Sequence, residues 1–455
     1  MANEEIYYSE EEQNELFERL ESLKGRINGN SENMKALMSF KTRRPMRSVM
    51  YRVPDALRQQ NEDAYSPSSV SIGPLHAWDR PVRAMEGRKL SYMCCLFERT
   101  ATYELTERDC MAAMIDMETV VEECYEEVKP FEHQRFAELM LIDGCFIIEL
   151  FYRRCRKEED PILENPYHFS AIQHDSLLLE NQIPFFVLEK LFELTIKRIP
   201  ENNNTQHSLT LTECVLSFFG DILMAKYIYP REDMNPYHIL HLLHNCYLPP
   251  PENIAWDYLK DEDQVKSKHS ATQFSNAGTK FQAGDYGTVI FDLKFSSAPT
   301  CFGLITKGYF KITPFYIYEL TEPFLRNLIA FEQCCPSIYH FFTSHAFLMN
   351  ILIDSEKDVK LLEDAGIIHN YLGSSETVAI LFKDICKNVV PRRIIYAKVY
   401  NLMMEETIAS WINRRTFLRL FFNNIYVRMT VIGAIILNVL TLLSSIYTML
   451  SYYHS

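Results

Sequence analysis

FEHQRFAELMLIDGCFIIELFYRRCRK, residues Phe131 to Lys157, decides the fold class. Phe136, Leu139, Met140, Cys145, Phe146, Ile147, Leu150 and Phe151 recur at helical spacing, which predicts a long and very apolar helix. Gly144 inside it predicts a point of close approach by a second helix. Working outward, the same periodicity marks Arg80 to Arg99 and Thr106 to Val128, the latter with Glu118, Glu122, Glu123, Glu126 and Glu127 along its outer side. It continues in Tyr167 to Glu180 and Pro184 to Arg198, a helical pair broken at NQIP, and in Leu209 to Tyr227 and Pro236 to Tyr247. Further on, helices are predicted at Glu322 to Cys334, Ser337 to Ile353, Asp358 to Ala365, Ser374 to Val389 and Pro391 to Tyr426. Ser374 precedes an acid-rich first turn and predicts an N-cap.

Other periods are minor. Thr288 to Leu293, Thr300 to Ile305, Tyr309 to Ile312 and Phe315 to Tyr318 alternate between Gly and Pro breaks and predict a small antiparallel sheet. Ser48 to Val53 and Ser69 to Ile72 are short extended segments bounded by proline. The expected fold is predominantly α-helical with a minor α+β character: a large helical body, a small antiparallel β insertion and one C-terminal transmembrane helix. Its organisation is an acidic N-terminal helix and basic loop over 1–47, a helical body over 48–428 and a transmembrane helix over 429–453. The body holds a linker near 248–270, where a proline triplet meets a charge run, and the β region at 288–318.

The transmembrane expectation rests on MTVIGAIILNVLTLLSSIYTMLSYY, Met429 to Tyr453, which has no charged residue. Taken as a helix of about 22 residues it is about 33 Å long, enough for a hydrocarbon core of roughly 30 Å. The alternative is a soluble helix buried against the body. Between Lys383 and Arg428 nine basic residues face three acids, an excess of six; the net charge of −14 therefore leaves −20 on the preceding chain. An acidic body repels phosphate backbones, so nucleic acid is not an expected partner. Basic residues ahead of the span keep that side cytosolic. The acidic start, MANEEIYYSEEEQ, has no apolar core of a signal peptide. A single-pass C-terminal anchor with a cytosolic body is expected, on the plasma membrane or an endomembrane.

The chemistry-bearing residues yield no reaction. Glycine is scarce, 14 of 455 residues, which weakens any phosphate-cradling loop. Twelve cysteines, none in C-x-x-C spacing, read as reduced thiols packed in a core. His238, His241 and His244 lie on one helix, but two successive steps of three drift round it and no acid or thiol stands at ligand spacing, so partly buried histidines are expected rather than a metal site. Asp143 and Glu149 sit in the most apolar helix but point about 120° apart, which does not make a catalytic pair. No catalytic motif, metal site or cofactor site is expected. HDSLLLENQIPFF groups His174, Asp175, Glu180, Asn181, Gln182 and Pro184; these predict a structural junction that satisfies backbone groups between two helices. On the span, Thr430, Gly433, Ala434, Asn438, Thr441, Ser444, Ser445, Thr448 and Ser451 fall within an arc of about 140°. Gly433, Asn438, Thr441, Ser444, Ser445 and Thr448 lead that face, a candidate surface for packing on a second span, whether another copy or a protein partner. The alternative is that these hydroxyls bond back to their own helix.

Those same stretches carry a resemblance. HDSLLLENQIPFFVLEKLFEL, RVPDALRQQNEDAYSPSSVSIGP (Arg52 to Pro74), FAELMLIDGCFIIEL (Phe136 to Leu150), FLRNLIAFEQC (Phe324 to Cys334) and GIIHNYLGSSETVAILF (Gly366 to Phe382) together resemble the plant-specific domain-of-unknown-function family 247, in the family's order. The resemblance implies a mostly helical protein with one terminal span and no agreed activity. Some grass members are implicated as pollen-side determinants of self-incompatibility. Where the family has Tyr-His-His after the VSIGP turn, this chain has Leu75, His76 and Ala77. The expected function is a membrane-anchored recognition or protein-interaction protein in plant cell–cell or pollen–stigma signalling. The alternative is a membrane-anchored hydrolase-type enzyme whose site assembles from distant residues.

Overall fold

The computed structural model describes residues 14, 18–20, 22, 49–77, 85–126, 133–200, 209–223, 235–248, 265, 267–284, 293–299, 306–391, 394–423 and 425–454. Three helices lead: α1 (Glu86–Glu98), α2 (Tyr103–Glu122) and α3 (His133–Arg156). Helix α3 carries the long apolar repeat, and Phe136, Phe146 and Phe151 are fully buried on it. It ends where Lys157 turns left-handed at φ 56°. Helices α4 (Pro166–Ser176), α5 (Phe185–Leu194) and α6 (Leu211–Phe219) follow. Gly144 is the close approach that its position implied: a Cβ there would run into Leu191 of α5. Phe218 of α6 stacks on Phe151 at 4.4 Å between ring centres, and Phe219 meets the same ring edge-on at 6.0 Å.

Helix α4 stops at Ser176 rather than at Glu180, and Leu177–Gln182 run as turns. Helix α7 (Ile239–Tyr247) and α8 (Ala271–Ala277) precede the strands. The Ser270/Gln273 capping box starts α8, and Gly278, at φ 112°, ends it. Then come α9 (Thr321–Cys334), α10 (Phe341–Leu352), α11 (Glu356–Asp364) and α12 (Ser375–Ile385). Ser374 caps α12 by accepting the Glu376 N–H at 3.2 Å. Helix α9 packs between α7, α10 and α12. A continuous buried apolar cluster runs from Leu20 to Met404 and joins both halves of the body.

The β region departs from the antiparallel expectation. Strands β1 (Thr279–Ala283), β2 (Leu293–Pro299) and β3 (Thr306–Ile312) form a sheet in the order β1-β3-β2, with β1 parallel to β3 and β2 antiparallel to it. β1 was not foreseen, because a strand of 5 residues directly after a helix cap shows too little alternation to stand out. Strand β4 (Phe315–Ile317) leaves that sheet and pairs in parallel with β5 (Ile368–Asn370). A parallel partner needs a long crossover, here α9 to α11, and so lies far away in sequence. The strands expected over 288–292 and 300–305 lie outside the described residues, as do the basic loop before residue 48 and most of the 248–270 linker. Of the acidic N-terminal helix, residues 14, 18–20 and 22 are described and helical.

The last two helices are α13 (Ala397–Asn423) and α14 (Ile425–His454). α13 begins at Ala397 rather than Pro391, since the approach is held elsewhere, with the Ile395 N–H donating to Ser344 Oγ at 3.2 Å. Its first half is built into the body, across β2, β3 and α8. Thr407 Oγ1 meets Thr279 Oγ1 at 2.7 Å, and Tyr400 Oη accepts the His269 N–H at 2.8 Å. From Trp411 onward every described side chain of α13 is exposed.

Candidate functional site

The junction residues between α4 and α5 lie under a strap, residues 52–76, that crosses from the start of the body. Asp175 is fully buried and accepts three backbone N–H groups from the strap: Ser68 at 3.0 Å, Ser69 at 2.7 Å and Val70 at 2.8 Å. Its neighbour His174 meets the same carboxylate at 3.0 Å. Asn181 accepts the Ile72 N–H at 2.6 Å and donates to Val70 O at 3.0 Å and Asp175 O at 2.9 Å. Gln182 donates to Ser176 O and Leu178 O, both at 2.9 Å, and accepts the Leu240 N–H of α7 at 3.2 Å. Pro184 stands as the N-cap of α5, one place ahead of the first turn.

Glu180 receives the Val53 N–H at 2.6 Å, Arg58, and His76 Nε2 at 3.1 Å. Burial by itself would raise its pKa; the His76 bond, the Val53 N–H and Arg58 together hold the carboxyl below the ordinary range. Gly73 closes the strap at φ 78°, donates to Asp143 Oδ2 at 2.8 Å, and passes so near Gln182 that a Cβ would stand 2.7 Å from its carbonyl oxygen. Asn327 of α9 accepts the Leu179 N–H at 2.8 Å and donates to Ala64 O at 2.7 Å and Pro323 O at 2.8 Å. Four stretches that resembled one family along the chain thus meet in one buried polar network, α3 joining through Asp143. Arg58, Gly73, His76 and Asn327 were not foreseen as members of it. Arg58, Gly73 and Asn327 stood in the motifs and His76 just beyond one, but nothing in a single chain pairs residues 70 or more positions apart.

The acids of α3 are also engaged. Lys89 and Asp143, both fully buried, meet at 2.7 Å, and Glu86 joins Lys89 at 2.8 Å. Burial pulls the Lys89 pKa down, and Asp143 with Glu86 outweighs it, so the ammonium is held above its usual range. Glu149 is gripped by Arg99, at 2.8 and 2.9 Å, and by Arg153 at 2.6 Å. Arg153 continues to Asp160 at 2.9 Å, which accepts the Tyr92 hydroxyl at 2.6 Å. Neither Asp143 nor Glu149 is placed as a free base.

The three histidines surround Phe331 at 4.9, 5.1 and 5.8 Å between ring centres and are more deeply buried than expected. His238 caps α7 through Nδ1, accepting the His241 N–H at 3.1 Å. His241 Nδ1 accepts the Tyr237 N–H at 3.0 Å, and His244 Nε2 meets Glu332 at 2.9 Å. Among the described residues no group of His, Cys, Asp and Glu is arranged to hold a metal ion. The described cysteines are free thiols. Burial pushes Cys110, Cys124, Cys334 and Cys386 up to about 12, away from nucleophilic use. A crevice of about 200 Å³, open solvent included, lies between α8, the sheet and α13. Its hydroxyls are those of Thr279, Ser297, Thr407 and Ser410, beside Glu406, with no imidazole or amine in its lining.

Two surface features complete the inventory. On the β4/β5 pair, Tyr316 stacks on His369 at 4.5 Å and Tyr318 on Tyr371 at 4.7 Å, a ladder of half-buried rings that ends in the exposed Tyr371. On α14, Gly433 has open space around it. Asn438 donates to Ala434 O at 3.0 Å, Thr441 to Leu437 O at 2.8 Å, Ser445 to Thr441 O at 2.9 Å and Thr448 to Ser444 O at 2.8 Å. The polar face therefore satisfies itself within one helix.

The sequence profile of DUF247, described as a plant protein of unknown function, matches residues 50–440. A UPF0481 protein of Arabidopsis thaliana is 27% identical over 368 residues, which cover 75% of this chain and 73% of that protein. A putative UPF0481 protein of the same plant is 23% identical over 434 residues, covering 75% of this chain and 78% of that one. No solved structure matches.

Two outcomes are expected of the buried network. Asn181→Ala and Gln182→Ala each leave buried backbone groups unpaired and should destabilise the folded chain by about 1–3 kcal/mol in denaturant unfolding. Unchanged stability in both would remove the structural reading of the junction. The second outcome concerns acid. Burial, with His244 adding to it, lowers His238 to about 3, whereas an unfolded histidine titrates near 6.5. The unfolded state therefore binds the extra proton, and stability present above pH 6.5 is lost as pH falls toward 3, by up to about 1.4 kcal/mol per pH unit. His238→Asn keeps a capping side chain without the titration and should reduce that slope between pH 6.5 and 5 by up to about 1.4 kcal/mol per pH unit, while His241 and His345, also lowered by burial, keep the remainder.

Proposed function

The chain belongs to the plant DUF247 family, and from that premise we propose that it is a membrane-anchored recognition or protein-interaction protein. The observation that carries this reading is α14. Arg428–Leu450 is 23 residues long, apolar enough to cross a bilayer, and none of it is buried against the body. A soluble helix of this composition would be tucked into the core. This one leaves Ile432, Ile435, Leu437, Leu442, Leu443 and Leu450 about half exposed or more. Each would cost roughly 1.5–3 kcal/mol in water relative to burial. At 1.5 Å per residue the span is about 34 Å, which suits a hydrocarbon core of roughly 30 Å.

The recognition part of the reading draws on how the polar groups are spent. The buried carboxylates Asp175, Glu180, Asp143 and Glu149 hold backbone and cations, while β4 and β5 carry stacked rings that end in the exposed Tyr371. A surface of rings beside a body of closed polar networks suits contact with another protein better than chemistry on a small molecule. The body faces the cytosol, because the basic flank precedes the span. Pollen–stigma recognition, which the family resemblance implies, belongs to the same proposal, but a surface-displayed ligand would need the reverse topology. The α14 face of Gly433, Asn438, Thr441, Ser444, Ser445 and Thr448 is proposed as the contact for a second copy; side chains that bond to their own backbone in one helix can still bridge to a neighbour.

Orientation is decided by protease protection. In sealed vesicles a tag after Ser455 should survive while the body is digested; a digested tag with a protected body reverses the topology and restores the surface-ligand reading. Self-association is read in a membrane two-hybrid assay. Asn438→Leu with Ser445→Leu should weaken the signal several-fold, and Ile435→Ala with Leu442→Ala should leave it. Equal signals from both pairs, or none from the native span, would remove the packing face.

A further inference from the structure

The outer half of α13 presents a surface that the body does not cover. Taking 100° per residue, Ile408, Trp411, Ile412, Arg415 and Arg419 fall within an arc of about 100°, along some 17 Å of helix. All five are exposed, and Tyr426, in the first turn of α14, is 80% exposed. The Arg415 guanidinium lies over the Trp411 ring at 5.1 Å. Arg428, also exposed, stands where the span begins. From Thr407 onward the sequence has no Asp or Glu, and the last acid of α13, Glu406, stands nine residues ahead of Arg415. The upstream chain, in contrast, is acidic.

We propose that this stripe binds anionic lipid headgroups on the leaflet where α14 enters the bilayer. Three features select a lipid surface as the occupant. The stripe runs directly into the span, with Asn423 and Ile425 ending one helix and starting the next. Its charge is opposite to that of an anionic leaflet. Its mixture of aromatic, aliphatic and Arg side chains suits the headgroup boundary, where rings and aliphatic groups reach inward and guanidinium groups pair with phosphate. The inference rests on the membrane reading of α14 and adds a lipid preference to it.

The test uses the full chain reconstituted in phosphatidylcholine vesicles with one-fifth phosphatidylserine. Spin-labelled phosphatidylserine and phosphatidylcholine report which lipid contacts the protein. Each arginine near the surface contributes about five-fold to anionic binding. The native chain should therefore prefer phosphatidylserine about ten-fold or more. Arg415→Gln, Arg419→Gln and Arg428→Gln together should reduce that preference to under two-fold, and so should high salt. All three positions are exposed, so thermal unfolding of the body should not change. A native chain without preference, or a triple variant that keeps it, overturns the proposal. Release of the chain from vesicles by alkaline carbonate would instead overturn the membrane reading itself; retention without lipid preference overturns only this inference.

Discussion

The grip of Asp175 on the strap is the constraint from which the rest of the body follows. Residues 52–76 contain one short helical turn, Asp55–Arg58, and otherwise no regular structure. Their buried backbone groups must find partners outside a helix or sheet. A carboxylate carries acceptors only and several lone pairs, so Asp175 can take three N–H groups at once. An amide both accepts and donates, so Asn181 takes the Ile72 N–H and returns a hydrogen to Val70 O, as the backbone of a neighbouring strand would. Residue type follows from the donor count at each position, and exchanging the two would leave groups unpaired on both sides.

This has a consequence for α4. A helix continuing to Glu180 would point Asn181 and Gln182 along its own surface. Stopping at Ser176 lets Gln182 reach back to Ser176 O and Leu178 O, satisfying carbonyls that the helix end leaves open. Asn327 does the same for the Leu179 N–H from a helix far along the chain. The buried ions work in a similar way. Paired charges of the Lys89–Asp143 kind add little net stability over apolar residues of equal size, but one partner without the other is costly. Their effect here is to fix which segment lies against which. Gly73, wedged between the Asp143 carboxylate and the Gln182 carbonyl, has room for no side chain.

What the sequence disclosed divides along physical lines. Periods of 3.6 residues are local, so α3, α12 and α14 could be placed from spacing alone, and Gly144 could be marked as a contact before its partner Leu191 was known. The polar density at 174–182 was visible as an anomaly in an apolar helix pair, and a structural use for it could be argued from helix ends. Its partners could not, because a hydrogen bond from Ser69 to Asp175 leaves no periodic trace in either segment. The family resemblance put the strap, the junction and the Asn327 helix in order along the chain, but order is not adjacency. The same limit hid the parallel pairing of β4 with β5, and with it the stacking of Tyr316 on His369. Burial of His238, His241 and His244 exceeded expectation because the spacing shows which way a helix turns and not how many elements surround it.

Helix α13 joins the two unlike parts of the molecule. Its first half is fastened by the Thr407–Thr279 hydroxyl pair and the Tyr400 contact to His269, both inside the body. Its second half is bare and basic. Between Ala397 and Arg428 there is neither glycine nor proline, so the connection has none of the residues that make a tether flexible. With α14 in a bilayer, the direction of α13 therefore sets the tilt of the sheet and of α8 relative to the membrane. The acidic charge sits upstream and the basic charge at the membrane end, which on an anionic leaflet attracts the helix and repels the body. At 8 Å of screening per Debye length, some 18 Å of exposed helix is enough to keep that repulsion weak while the arginines remain within reach of the headgroups. Under the proposed anchoring, a connection without glycine or proline would tie the orientation of the β4 and β5 rings to the direction of α13, as contact with a partner beside the membrane would need.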